Sequence, residues 1–478
     1  MVEKNSNPPD ECASAEGGAP ASAPGSMRGR DPMSRRGLIQ LGALSMLGWA
    51  ARPRTALGAV AINTGEPPGD ILVNIFLRGG ADGLNLVVPY GDDDYYRNRP
   101  TLGISAPRNS RSSETDRVIP LDSFFGLNPA LHSLRPLYEQ KQLAVIHACG
   151  SGDQTRSHFE AMDTVERGVF RQTGPASGWL ARHLESAPWT SKSPLRAVAI
   201  GEIVPASLQG AGTATAMRTL SDFRIDVPPG KTDEIARSLA SLYGGDKDLL
   251  MEAGHETLRV LAALSHLDAA HTAAGNGAVY PVDELGAGLR QVALLIKSDV
   301  GLEAACLDHG SFDTHVAQAG ILSGKLMSLG DSLAAFAKDL GPDQWKRTTV
   351  VVVSEFGRRV EENSGAGTDH GRAGVMFVLG GNPSLQSVGS ALQGGRVNGT
   401  WPGLAPEQLE GPGDLRVTTD YRSVLAEVIR DHLKNPRVDV VFPGLAQQGM
   451  SRSKNSMMDQ VRARVNATAQ MLIPSVKL

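Results

Sequence analysis

Cysteine is nearly missing from this 478-residue chain: there are three, and Cys12 lies in a Gly-, Ala-, Ser- and Pro-rich N-terminal stretch, leaving Cys149 and Cys306 at the ends of apolar runs. Two cysteines make no disulfide framework, and separate buried thiols are the expectation. A basic excess is missing too. The formal net charge is -4, which argues against a nucleic-acid partner. The body holds no run of apolar residues long enough to span a bilayer, so no membrane span is expected in the mature chain. Short catalytic signatures are equally scarce. There is no Gly-x-Ser-x-Gly elbow, Walker A loop or His-Glu-x-x-His helix, and the spacing of Gly79 and Gly83 is not a dinucleotide fingerprint. Any chemistry must therefore be assembled from distant segments.

What is present begins with a leader. Residues 1–33 are rich in Gly, Ala, Ser and Pro and read as a disordered extension. Ser34-Arg35-Arg36-Gly37-Leu38-Ile39 follows, then a modest apolar stretch to Ala51 and small residues from Ala56 to Ala61. Twin arginines before a weak apolar segment read as a twin-arginine export signal over 34–61. That makes the export machinery a partner and places the mature chain in the periplasm or outside the cell. This route carries proteins that have already folded.

Beyond the leader, 41% apolar and 21% charged residues are ordinary for a globular protein. Near-continuous apolar runs at 71–78, 142–149, 195–201, 302–310, 348–356 and 374–381 read as strands buried on both faces. Helical patterns at 157–167, 231–243, 246–273, 283–298, 315–340 and 420–433 alternate with them. The reading is an α/β domain over 69–445, a mostly parallel sheet sandwiched by helices, with a helical insertion at about 246–298 and a peripheral tail at 450–478.

In such sheets ligands bind where the strands end, so polar residues just past a strand carry the most information. Asp82 follows the first strand, Arg156, Ser157 and His158 the second. Asp313 and His315 follow the run at 302–310, while Glu355, Asp369, His370 and Arg372 follow the valine run at 350–353. Each has an ordinary reading. Asp82 sits in an Asp-Gly turn, Asp313 or Thr314 would cap the next helix, and Ser157 with Glu160 fits a capping box. Taken together they make a set of carboxylates and imidazoles drawn from several strand ends, which suits a divalent cation such as zinc, manganese or calcium. Arg156, Arg358 and Arg372 would hold an anionic small-molecule or polymer substrate by forked hydrogen bonds. The chemistry would be metal-assisted attack on a phosphoryl or sulfuryl centre.

These same segments, "LRGGADGLNLVVPYGDDDYYRNRPTLGI" (77–104), "RSHFEAMDTVERG" (156–168), "FDTHVAQ" (312–318) and "TDHGRAGVMFVLGG" (368–381), resemble the domain-of-unknown-function 1501 family. The resemblance extends through "VTTDYRSVLAEVI" (417–429) and covers nearly the whole mature chain. It implies an exported bacterial protein with an alkaline phosphatase-like fold, grouped with the alkaline phosphatases and sulfatases. By that resemblance Asp82 matches a metal-binding Asp after the first strand. Ser157, or Thr155, matches a nucleophile at a helix start. Asp313 and His315 match an Asp…His metal pair, with one intervening residue instead of three. Glu355 falls where an Asp-His pair usually ends a strand, and Asp369-His370 falls near the last metal histidine or is that pair itself. The Cys or Ser motif of sulfatases is absent. The implied function is a metal-dependent hydrolase; the alternative is an exported binding or scaffold protein using the same crevice without turnover.

Overall fold

Alternation along one strand dictates the architecture. In Ile71–Leu77 (β1) every residue is buried, with Ile71, Val73, Ile75 and Leu77 facing one core and Leu72 and Phe76 facing the other. A strand apolar on both sides must be covered on both sides. The structure, a computed structural model, describes residues 69–170, 174–188, 193–223, 272–387 and 392–445, with a few isolated residues between. The extension, the signal segment and the C-terminal tail lie outside the described residues.

Val87–Val88 (β2), Ile119–Pro120 (β3) and Gly126–Leu127 (β4) make a small three-stranded sheet of their own. The main sheet has nine strands: β1 with Leu143–Gly150 (β5), Ala197–Ile200 (β6), Ala214–Met217 (β7), Ala304–His309 (β8), Thr348–Ser354 (β9), Gly374–Gly380 (β10), Arg396–Asn398 (β11) and Thr419–Asp420 (β12). Their order is β11-β5-β10-β9-β1-β8-β6-β7, with β12 also on β5. Every pairing in it is parallel except those of β10, which runs against both β5 and β9.

Among the described residues the longer helices that dress this sheet are His158–Arg167 (α1), Trp179–Ser186 (α2), Glu284–Lys297 (α3), Gln318–Lys346 (α4) and Tyr421–Glu427 (α5). Leu285, Leu289 and Val292 of α3 and Leu326, Leu333 and Phe336 of α4 fill one core. Val165 of α1, Trp179 and Leu184 of α2 and Val424 and Leu425 of α5 fill the other. The mostly parallel sheet between helices is as the sequence implied. Of the stretch expected as an inserted or covering subdomain, residues 284–297 form the helix before β8 and share the main core, while most of 224–271 lies outside the described residues. Cys149 on β5 and Cys306 on β8 are buried free thiols. Three strands stand between theirs, so at about 4.8 Å per step they are far beyond disulfide reach.

The antiparallel strand matters for the site. Leu77 pairs with both His309 and Ser354, so β1, β8 and β9 end level. Because β10 runs backwards, its first residue, Gly374, lies opposite Cys149 near the end of β5. The connection 355–373 therefore leaves and re-enters the sheet at the same edge. The segments after β1, β5, β8 and β9 all meet there.

Candidate metal centre

The turn after β8 is pinned by the protein's own groups. Phe312 donates its N–H to Arg78 O at 3.1 Å, and its ring is fully buried. Gly79, at φ +118, lets this turn come close: a Cβ there would lie 2.5 Å from the backbone nitrogen of Asp313. Arg358, 1% exposed, fills the gap with its guanidinium. It donates to the carbonyls of Gly79, Gly80, Phe312 and Thr368 and, at 2.6 Å, to Asp313 Oδ1. One buried cation thus ties together the segments after β1, β8 and β9.

Three histidines converge on Asp313. His370 Nε2 and His315 Nε2 each lie 3.0 Å from Asp313 Oδ1, and 3.0 Å from each other. His158 Nε2 is 3.4 Å from Asp313 Oδ2. One ligand atom from each of His158, Asp313 and His370 falls within 4.8 Å of the others. The outer ring nitrogens fix how these imidazoles are used. His158 Nδ1 lies 2.9 Å from Glu355 Oε1, His315 Nδ1 3.2 Å from Asp369 Oδ1 and His370 Nδ1 3.0 Å from Arg156 O. Carbonyls and carboxylates only accept, so each Nδ1 carries the proton and each Nε2 turns a lone pair inward.

Lone pairs crowded against a carboxylate need a cation or extra protons. His158 Nε2 is buried with no hydrogen-bond partner among the described residues. That orphaned acceptor, beside two further Nε2 atoms and Asp313, is a donor set that fits a divalent metal. Burial penalises the charged Asp313, but the hydrogen bond and positive charge of the Arg358 guanidinium work against that penalty, and the carboxyl is held far below the usual range. Asp369 is lowered as well, first by its hydrogen bond from Asn363 and then, against the cost of burial, by His315. Both acids stay ionised and ready to face a cation.

The remaining candidates divide. Glu355, 1% exposed, orients His158 while also accepting from Gly79 N at 2.8 Å and lying 2.9 Å from Ser354 Oγ. Asp369 stands behind His315 in the same way. Asp82 is elsewhere: it is buried in a forked pair with Arg99 and accepts from Gln318 Nε2, because an uncompensated carboxylate at that depth would be far too costly. Arg156 places its guanidinium on Asp414 and only its carbonyl on His370. Arg372 pairs with Glu410. The two expected caps do not form. Ser157 precedes α1 without a side-chain cap bond, and α4 starts at Gln318 behind Ala317, so neither Asp313 nor Thr314 caps it. The chain between them is spent on the site. Sequence reasoning missed Gln318, Arg99 and Asn363, whose partners lie on other segments and leave no local pattern.

The family model described as "Protein of unknown function (DUF1501)" matches residues 70–428. The chain belongs to the DUF1501 family. No curated protein matches it. Among solved structures it is similar to the lipoteichoic acid synthase LtaP from Listeria monocytogenes, at 8% identity and a TM-score of 0.25, over 72% of this chain and 71% of that one. It is also similar to a mutant of TAB5 alkaline phosphatase with bound magnesium, at 14% identity and a TM-score of 0.25, over 66% of this chain and 91% of that one. Both superpositions are loose.

Proposed function

We propose that this DUF1501 protein is a metal-dependent hydrolase of phosphate or sulfate esters that works in the periplasm or outside the cell after twin-arginine export. The observation that carries the reading is the convergence of three inward Nε2 atoms on Asp313, each backed by an acceptor on its far side. Acceptors behind ligating histidines raise their basicity and fix the ring, as in established metal sites. His158, His315, His370 and Asp313 would hold the ion. Imidazole nitrogens favour zinc over calcium, which prefers oxygen ligands, while the Asp313 carboxylate also suits manganese. A bound ion would supply Lewis acidity at an ester oxygen. Ser157, next to His158 at the start of α1 and without a cap bond there, would supply the nucleophilic hydroxyl.

One observation favours the alternative of binding without turnover. Arg156, Arg358 and Arg372, the arginines expected to hold an anion, are already engaged by Asp414, Asp313 and Glu410. The test is elemental analysis of protein purified from the periplasm, followed by assays on p-nitrophenyl phosphate, its diester and the sulfate. Bound zinc or manganese with Ser157-dependent hydrolysis supports the enzyme. Bound metal with no turnover of any ester favours the binding protein, and a metal-free protein overturns the metal centre itself.

A further inference from the structure

The two loops that carry the inward-facing groups are joined by a residue that touches none of them. Thr314 lies between Asp313 and His315, and Thr368 immediately precedes Asp369 and His370. Thr314 Oγ1 donates to Gln318 Oε1 at 2.8 Å, and Thr368 Oγ1 donates to the same oxygen at 2.6 Å. The other end of that amide, Nε2, donates to Asp82 Oδ2 at 2.5 Å. The orientation of the amide is forced, because Asp82 as a carboxylate only accepts and must face the NH2. Gln318 and Thr368 are fully buried, and Thr314 and Asp82 nearly so.

The backbone repeats the connection. Thr368 N donates to Thr314 O at 3.1 Å, and Gln318 N donates to Ala366 O at 2.9 Å. Behind Asp82 stands Arg99, which forks onto both carboxylate oxygens and donates to the carbonyls of Arg359 and Val360. Arg99 therefore anchors to the same 355–373 connection that carries His370. The result is a closed circuit running from Arg99 through Asp82 and Gln318 to both hydroxyls and back.

We infer that Gln318 is a positioning residue for the metal centre, and that the buried Asp82–Gln318–Thr314–Thr368 circuit sets the spacing between Asp313 and His315 on one loop and His370 on the other. This rests on the metal-binding reading above. A circuit needed only for stability would hold the loops in the fold; this one joins them at residues adjacent to the groups facing the ion. A ligand set held a few tenths of an ångström too wide loses affinity even in a fully folded protein, and substitutions behind the ligands of metal sites cost about 10- to 100-fold.

The experiment is zinc titration against a chromophoric chelator, on folded protein checked by near-UV circular dichroism. Gln318→Met keeps the volume and removes both hydrogen-bonding ends. It is expected to weaken zinc binding at least tenfold. Thr368→Val should weaken it as well, and Thr368→Ser, which restores the hydroxyl, should recover it. The double variant should bind no more weakly than Gln318→Met alone, since both break the same circuit. Leu333→Ala, in the core under α4, is the control: it destabilises without touching the circuit and should leave affinity unchanged. If wild type binds no zinc, the metal reading falls and this inference with it. If wild type binds but Gln318→Met binds equally well, or Leu333→Ala weakens binding as much, the positioning role alone is overturned.

Discussion

His315 Nε2 and His370 Nε2 face each other across 3.0 Å, with Asp313 Oδ1 the same distance from both. Two imidazole lone pairs cannot sit that close with nothing between them. Either a proton is shared or a cation lies in their midst. Since both rings hold their other proton toward Asp369 and Arg156, the pair is built to present nitrogen to whatever fills the gap.

Stability should therefore depend on metal. An ion that binds only the native state stabilises by mass action, about 2.7 kcal/mol at a hundredfold excess over its dissociation constant. Thermal unfolding of the wild type should shift down in chelator and recover with zinc or manganese. Asp313→Asn, nearly isosteric, should blunt the response. Identical melting with and without chelator would refute the metal centre.

Ser157→Ala should barely change stability. A working N-cap is worth about 1 kcal/mol, but the Ser157 side chain makes no cap bond to α1. Urea unfolding should place the variant within about 0.5 kcal/mol of wild type. A larger loss would mean that the hydroxyl is structural after all.

Acid should weaken the fold through buried histidines outside the candidate metal centre. Burial pushes His147, His183 and His432 down to about 4. Their folded values lie below the unfolded 6.5, so the unfolded chain takes up protons first as pH falls. The stability they provide is complete above about pH 6.5 and is lost as pH drops towards 4, at up to about 1.4 kcal/mol per unit for each proton. Among the described residues His432 Nε2 has no hydrogen-bond partner, and Nδ1 lies 3.3 Å from Thr349 Oγ1. His432→Leu should flatten the pH dependence by one proton, read from urea midpoints in chelator between pH 7.5 and 5. An unchanged slope would show that His432 takes up its proton as readily in the fold as in the unfolded chain.

Export is tested on the precursor. Replacing Arg35 and Arg36 with lysine should strand the chain in the cytoplasm, measured by fractionation. Undiminished appearance in the periplasm would rule out the twin-arginine route.

Much of this was readable in the residues. Runs such as Ile71–Leu77 and Thr348–Ser354 are apolar on both faces, and only a covered sheet satisfies them. His315, Asp369 and His370 stood out because titratable groups crowd just past strands. What could not be read was direction and depth. Nothing in Gly374–Gly380 distinguishes an antiparallel strand from a parallel one, since burial on both faces looks the same either way. Asp82 looked like a ligand because its partner, Arg99, lies on another segment, and only the folded chain shows that this carboxylate is already neutralised. Arg358 looked like a substrate clamp for the same reason, although its guanidinium serves four carbonyls and Asp313.

The place of β1 in the sheet also governs the order in which the molecule can be made. Among the described strands it is the first to leave the ribosome, yet its two neighbours are β8 and β9, supplied by residues 304–309 and 348–354. Pairings between such distant segments are slow to close and leave strand edges open in the meantime. A nascent chain stopping short of Thr348 holds β1 with one side bare and lacks Glu355, Arg358 and His370 altogether. Closure of the sheet around β1 and completion of the candidate metal centre must consequently wait for residues 348–370.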